Sequence, residues 1–428
     1  MTGSRHQQQA TEAASIAANT LPDPKVSISM AGLPTNGFDL NQEGMTQLKV
    51  GVSQMLPRGD SLAFKSQQLQ LQSESYPLQR LDRQAKVAVT VGGLWLDAYR
   101  VQQSIALIEK NRALFAQLAD VVEASYSSTL GKTRQQDLVR AQLELTRLED
   151  RLNKLAQQQN KYHGMLSQWL TVVNSTELEN YALTRNSINT YNMRLTQQLP
   201  QLALRNSDLV YDERWQQAQS LVPYLAQHPA VLAVDKKIDA SKTGIKLAQQ
   251  KYKPEWGLNA SYGYRADDAM GRSRADLFSV GITFDLPLFT ENKQDQEVRS
   301  VTAKTEAIKT EKHILLRQLL GSYASAKGRL LKLKKRQALY KNRLLPQIHD
   351  QALASLTAYT NDDGDFAEVV RARIAVLNAE IDELTLNVDE QKIHLELNYL
   401  FIGAMNADMT KNIKGRSRHY AAMLGEIE

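Results

Sequence analysis

The stretch VGVSQMLP at residues 50–57 returns as VGITFDLP at residues 280–287, 230 positions further along the chain. A second correspondence joins LVRAQL at residues 138–143 to VVRARI at residues 369–374, with a spacing of 231 positions. Two matches so far apart, at nearly the same spacing, indicate that one long module has been duplicated in tandem. The fold is therefore predicted to consist of two equivalent halves.

Two strands are predicted in each half, because apolar and polar side chains alternate there with a period of two. They cover about residues 24–31 and 46–55 in the first half and about residues 255–265 and 276–285 in the second. Each strand therefore has one apolar and one polar face. The apolar positions are Val26, Ile28 and Met30; Leu48, Val50 and Val52; Trp256, Leu258, Ala260, Tyr262 and Tyr264; and Phe278, Val280, Ile282 and Phe284.

The strands have two interpretations. In the first, a small sheet packs its apolar face on helices of a soluble coiled-coil scaffold. In the second, the apolar face contacts lipid and the polar face contacts water, as in an outer-membrane barrel. Eight strands are about the smallest number that closes such a barrel, so the second interpretation requires several copies to pool their strands.

Long helical patterns follow each strand pair, over about residues 61–123 and 292–356, and returning helices begin near Arg134 and Phe366. Both returning helices carry apolar residues at alternating steps of three and four positions, which is heptad spacing. Helices of this length need partners side by side, so each half is predicted to contain a long helical hairpin. The heptad residues are Leu138, Ala141, Leu145, Leu148 and Leu152, and Val370, Ile374, Leu377, Ile381 and Leu384.

The sequence divides into four predicted parts. Residues 1–172 form the first repeat, residues 173–227 a connecting side domain, residues 228–403 the second repeat and residues 404–428 a C-terminal tail. No secretory signal peptide precedes the first repeat, so we expect the chain to begin at a mature, trimmed or internal start.

The composition argues against several classes of function. The chain has no cysteine, which excludes disulfides, thiolate metal sites and cysteine nucleophiles. Its seven histidines never pair at helical ligand spacing, and no phosphate-binding or zinc-protease motif occurs. The net charge of +6 is scattered, without a basic run interleaved with aromatic residues, so no nucleic-acid partner is predicted. No catalytic activity, cofactor or metal site is predicted.

The order of short motifs resembles the TolC-like outer-membrane efflux proteins of Gram-negative bacteria. Proline motifs lie before the strand pairs, as LPDP at residues 21–24 and KP at residues 253–254, and after them, as LP at residues 56–57 and LPLF at residues 286–289. The motif HPAVLA at residues 228–233 resembles the start of the family's second half.

The resemblance implies a mainly α-helical fold with a β-barrel contribution. Three copies would each supply four strands to a twelve-stranded barrel above an α-helical tunnel. This homotrimer would lie in the lipid of the Gram-negative outer membrane and extend into the periplasm. It would be the passive exit duct of a tripartite efflux pump, with a periplasmic adaptor protein and an inner-membrane pump of the resistance-nodulation-division class. Residues 21–60 resemble the heavy-metal branch, which accompanies copper, silver, cobalt, zinc or cadmium pumps.

The resemblance also assigns residues to the periplasmic tips of the hairpins. Tyr359 would be a tyrosine that bonds an aspartate of the other hairpin, and Asp137 would be its partner. Glu368 lies where an acidic ring residue is expected, whereas Arg371 stands where a second acidic residue is often found. Threefold symmetry would turn each carboxylate into a ring that attracts cations. A hypothetical replacement ring consists of Asp362, Asp363 and Asp365.

Contact with the adaptor would fall on the same tips. The residues that the resemblance places there are Tyr126, Leu130, Gly131, Lys132 and Gly364. Two alternatives to an efflux duct stay open. One is the soluble coiled-coil scaffold with a small sheet, and the other is a secretion-system pore that carries a different cargo.

Overall fold

A computed structural model of the chain describes residues 2–127, 135–170, 195–205, 207–211, 218–361 and 363–403. The chain forms two compact units, the first from Met1–Asp82 and Pro229–Arg317 and the second from Arg83–His228 and Gln318–Glu428. Each unit therefore combines one part of each predicted repeat. The division into repeats stays a prediction about the sequence.

The described elements follow one another in an order that is similar in the two halves. The first half contains α1 (Thr2–Ala17), β1 (Lys25–Ala31), β2 (Gln47–Leu56), α2 (Ser61–Ser73), α3 (Ser75–Ser127) and α4 (Gln135–Leu170). Two short helices follow, α5 (Ser207–Tyr211) and α6 (Ala218–Leu225). The second half contains α7 (Pro229–Gln249), a 3-10 turn (Gln250–Tyr252), β3 (Trp256–Tyr264), β4 (Leu277–Phe284), α8 (Gln294–Leu339), a π turn (Tyr340–Leu344), α9 (Leu345–Thr360) and α10 (Phe366–Leu400).

The four strands of the first unit form one antiparallel sheet in the order β1-β2-β3-β4. Val50 of β2 pairs with Ile28 of β1 and with Tyr262 of β3, and Tyr262 pairs with Phe278 of β4. This register brings every apolar position predicted from the alternation to the same face. The predicted fold class, mainly helical with four strands per chain, is confirmed.

Helix α2 packs on α1 and α7 within the first unit. Ion pairs fix these helices to their neighbours: Lys236 of α7 bonds Glu74 at 2.6 Å, and Asp235 bonds Lys312 of α8 at 2.6 Å. The chain enters α2 through Gly59, whose φ of +44° favours glycine. A Cβ at this position would lie 2.5 Å from the side-chain oxygen of Gln250.

The heptad residues build the core of the second unit. All but one of the predicted apolar positions of α4 and α10 belong to a single cluster, which also contains Ile108, Phe115 and Phe366. The exception is Leu384, which packs in a second cluster around Leu96 and Val388. The helical hairpins were therefore predictable because heptad spacing selects one face of each helix.

The helices are interrupted in two places, each near a proline that also breaks the sequence pattern. Within the long pattern over residues 61–123, the structure separates α2 from α3 at Glu74. Pro77 explains this break, because its ring cannot be accommodated beside the carbonyl of Ser73, four residues earlier. In the same way the π turn at Tyr340–Leu344 ends two residues before Pro346.

An extended segment of the predicted connecting domain, residues 195–205, is held by side chains rather than by a sheet. Gln102 of α3 accepts a hydrogen bond from the amide of Leu195 at 3.0 Å. On α10, Gln391 accepts one from the amide of Leu202 at 2.7 Å, and His394 donates through Nδ1 to the Leu202 carbonyl at 2.8 Å. These bonds satisfy backbone groups that have no secondary structure to pair with.

None of the helices in the described ranges is both long enough and apolar enough to cross a membrane.

Candidate functional site: the sheet faces and the helical tip

The apolar face of the sheet is open in the single chain. Ile28 on β1 is 73% exposed, and Val280 on β4 is 70% exposed. Large side chains on the two central strands, such as Val50 and Tyr262, are also exposed. A contiguous apolar surface that spans four strands of a folded protein marks a site of contact with lipid or with another protein.

The polar face is crowded around the glycines of the strands. Each glycine of the strands lies on this face, and a Cβ at Gly281 would lie only 2.4 Å from the Asn259 side chain. Such convergence is expected where a sheet curves toward its polar side. The other close approaches are Gly51 to Ser27 at 2.9 Å, Gly257 to Thr283 at 2.5 Å and Gly263 to Gln47 at 2.1 Å.

The sheet has two free edges within the described part of the chain. β1 pairs only with β2, and β4 pairs only with β3. The outer backbone groups of these edge strands are positioned to accept further strands.

The loops at one end of the sheet are tied together by arginines of the β3–β4 loop. Arg265 donates to the carbonyl of Gly44 at 2.7 Å, and Arg274 donates to the carbonyl of Glu43 at 3.1 Å. Asp268 organises its own loop by accepting hydrogen bonds from the backbone of Arg272 and Met270. The hydrogen bond from the Arg272 amide has the largest effect, and it holds the pKa of Asp268 below its usual value.

The opposite end of the sheet, where strands lead into helices, is organised by Arg58. Its guanidinium donates to the carbonyls of Lys251 and Lys253 at 3.2 and 3.4 Å and forms an ion pair with Asp285. Asp285 also accepts a hydrogen bond from the amide of Glu255 at 2.7 Å. That bond and the Arg58 charge hold the pKa of Asp285 below its usual value. A cavity of about 490 Å³ opens beside this cluster, between polar groups and the exposed side chains of Leu286, Leu288 and Phe289.

The α9–α10 tip, in the second unit, is described at residue 361 and at residues 363–365. The amide of Asp363 bonds the carbonyl of Ala358 at 3.0 Å, which closes the end of α9. Gly364 approaches the same peptide so closely that a Cβ would lie 2.7 Å from the amide nitrogen of Tyr359. Asp365 caps α10 by accepting a hydrogen bond from the amide of Ala367 at 3.1 Å.

Removing this cap is expected to destabilise the tip. Asp365→Ala should cost about 1 kcal/mol, because it leaves a donor in the first turn of α10 without a partner. Asp365→Asn retains an acceptor and should be nearly neutral. Urea unfolding of the purified protein measures both, with Asp363→Ala, an exposed neighbour, as the matched control. An equal loss in Asp363→Ala would contradict a capping role for Asp365.

The predicted gate residues are brought together only in part. Glu368 and Arg371 form an ion pair one helical turn apart, on side chains that are 47% and 69% exposed. Tyr359 packs its ring against Phe366, with 5.6 Å between the centroids. Asp137 lies buried in the first turn of α4. Its bond to Tyr359 stays a prediction.

Several predicted tip residues lie outside the described part of the chain: Asp362, Leu130, Gly131 and Lys132, and the side chain of Tyr126. The sequence analysis did not identify Arg58 as a functional residue. A comparison of the repeats could have identified it, because the corresponding position 230 residues later is Leu288 and carries no charge.

Known proteins resemble this chain in fold. No protein-family model and no curated protein matches it. Among solved structures, the outer membrane protein VceC of Vibrio cholerae aligns with a TM-score of 0.72 at 12% identity, over 94% of this chain and 91% of VceC. The CmeC outer membrane channel of Campylobacter jejuni gives 0.71 at 12% identity, over 96% and 84%. The open-state MtrE outer membrane channel of Neisseria gonorrhoeae gives 0.67 at 13% identity, over 94% and 85%. The chain therefore has the fold of these outer-membrane channels.

Proposed function

We propose that this chain is the passive exit duct of a tripartite efflux system in the Gram-negative outer membrane. One observation carries the proposal: a four-stranded sheet with an exposed apolar face, a mainly polar opposite face and two free edges. An apolar outer wall and a polar lumen are what a membrane barrel requires. The fold of solved outer-membrane channels supports the same conclusion.

The number of strands requires several copies. Four strands cannot close around a lumen, and about eight is the smallest closed number. A homotrimer would supply twelve strands, with the crowded polar face turned inward. The alternative of a soluble scaffold leaves the apolar face in water, and nothing within the described part of the first unit covers it. A secretion pore would use the same barrel and differ in cargo.

The chain supplies no source of energy of its own in this scheme. Export would be driven by an inner-membrane pump of the resistance-nodulation-division class, joined to the duct by a periplasmic adaptor. The adaptor would contact the tips near Gly364 and residues 126–132. Cargo of the heavy-metal class rests on the resemblance of residues 21–60 alone, because alignments at this identity establish the fold and no finer grouping.

The purified protein should behave as a trimer that needs detergent. Mass measurement in detergent should give three copies of the 48.1 kDa chain, and insertion into a planar bilayer should give discrete conductance steps. The apolar face explains both results, because it must be covered by detergent or lipid. Monodisperse single chains that stay dissolved without surfactant would refute the duct and favour the scaffold.

A further inference from the structure

We infer that β4 of one copy pairs antiparallel with β1 of the next copy in a single register that repeats the internal β2·β3 pairing, with Thr283 opposite Ser29. This inference rests on the proposed oligomeric duct and specifies its seam. Two of the strand junctions, β1·β2 and β3·β4, are hairpins within one repeat. The third, β2·β3, joins the second strand of one repeat to the first strand of the next. The missing junction between copies is of this same kind.

The register follows when the internal junction is moved along the sequence by one repeat. In β2·β3, Ser53 lies opposite Asn259. A shift of 230 positions takes Ser53 to Thr283, and the reverse shift takes Asn259 to Ser29. The neighbouring internal pair, Val52 with Ala260, gives Ile282 opposite Met30 in the same way.

The faces of the sheet agree with this register. Ile282 and Met30 are both exposed apolar side chains on the outer face. Thr283 and Ser29 are both on the polar face. A slip by one residue would place polar side chains opposite apolar ones along the whole seam. Competing registers can therefore differ only by an even number of residues.

The tilt of the strands restricts the register further. Val26 pairs with Val52, Val52 with Ala260, and Ala260 with Val280. The proposed seam then places Val280 opposite Gly32 of the next copy, six residues beyond the starting point in β1. Six residues along four strand spacings correspond to a tilt of about 45°, at the upper end of the barrel range of about 35–45°. A displacement of eight residues gives about 54°, outside this range, whereas one of four gives about 35°, at its lower end. The tilt therefore excludes the displacement of eight, and the repeat of the internal pairing favours six over four.

Exposed side chains below the strands also become complementary. At the internal junction Arg58 donates to the carbonyl of Lys251. A shift of 230 positions takes Arg58 to Leu288 of one copy, and the reverse shift takes Lys251 to Leu21 of the next copy. Leu288 is 73% exposed and Leu21 is 55% exposed in the single chain. The seam would bury the two leucines in the place of an internal hydrogen bond.

The closest competitor is a slip of two residues. The hairpins show that the repeats differ by this amount, because Val26 pairs with Val52 in the first, whereas Trp256 pairs with Phe284 in the second. The shift of 230 positions would place Trp256 opposite Ile282. The slipped seams would place Thr283 opposite Ser27 or opposite Ala31.

Disulfide trapping distinguishes these registers, because the chain has no cysteine of its own. Thr283→Cys is combined with Ser27→Cys, Ser29→Cys or Ala31→Cys in the full chain, and the detergent-purified protein is mildly oxidised. Directly opposite residues lie about 4.5–5.5 Å apart between Cα atoms. Partners two residues away lie about 7–8 Å apart, beyond the usual disulfide range of about 4.4–6.8 Å. Ser53→Cys with Asn259→Cys, opposite each other within one chain, is the positive control.

The pair at residues 29 and 283 should give covalent oligomers on non-reducing gels in at least about five-fold higher yield than the other two. The strands are at opposite edges of one sheet, so this bond cannot form within a copy. Two single variants, T283C and S29C, can be co-expressed on separate chains and should then form a covalent dimer. This pair replaces the double variant in the test if the double variant folds poorly.

The outcomes separate the seam from the function. Strongest trapping at residue 27 or 31 overturns the register but leaves the duct intact. Absence of trapping in all pairs, with a trimer by mass and an oxidised internal control, overturns the pairing of β4 with β1. A single-chain mass in detergent removes the oligomeric duct itself.

Discussion

Val280→Lys is expected to prevent insertion into the outer membrane. The lysine would project from the apolar face near the middle of β4, where a basic residue costs about 2–4 kcal/mol at the bilayer midplane. A trimer would carry this cost in three places. The trimer in outer-membrane fractions should fall below detection, whereas the wild-type trimer is retained.

The neighbouring residue gives a matched control. Ser279 is adjacent in the same strand but belongs to the polar face, where it pairs with Ser261. Ser279→Lys should assemble and insert, and it should change only conductance. Both residues are exposed in the single chain, so neither substitution breaks a packed core. Equal tolerance of the two lysines, within about 0.5 kcal/mol, would support a sheet in water and contradict a wall in lipid.

The faces of the sheet were predictable from the sequence, but the partners of each strand were not. Alternation is a local property, and it identifies which side of Val50 or Val280 is apolar. Pairing of β2 with β3 joins residues about two hundred positions apart, and the sequence contains no signal for it beyond the duplication. Arg58 shows the same limit, because its carbonyl partners become neighbours only when the two hairpins meet.

The tip contains a helix-capping motif that the sequence analysis interpreted as part of a ring of carboxylates. Asp365, proposed as a ring carboxylate, is followed three residues later by Glu368, which is the spacing of a capping box. The structure gives Asp365 the capping role through the amide of Ala367. Glu368 instead pairs with Arg371. The Asp365 side chain is exposed while it caps α10, so capping and a contribution to a tip ring are compatible.

The ion pair between Glu368 and Arg371 makes ion selectivity the sharpest test of the tip. Each copy would contribute one negative and one positive charge in adjacent turns, so the field of the Glu368 ring is largely cancelled. Arg371→Gln removes the three positive charges and should raise the preference for cations over anions by about an order of magnitude at about 0.1 M salt, if the tip lines the conduction path. Single-channel reversal potentials under a salt gradient measure this preference.

Two controls show which carboxylates set the field. Glu368→Gln should move selectivity in the opposite direction, since Arg371 is then unopposed. Replacing Asp362, Asp363 and Asp365 together with Asn retains an acceptor at position 365 and removes only charge. If that triple variant leaves the reversal potential unchanged, the replacement ring does not exist. All effects should fade near 1 M salt, where the screening length is about 3 Å. A reversal potential unmoved by both Arg371→Gln and Glu368→Gln would place this ion pair away from the conduction path.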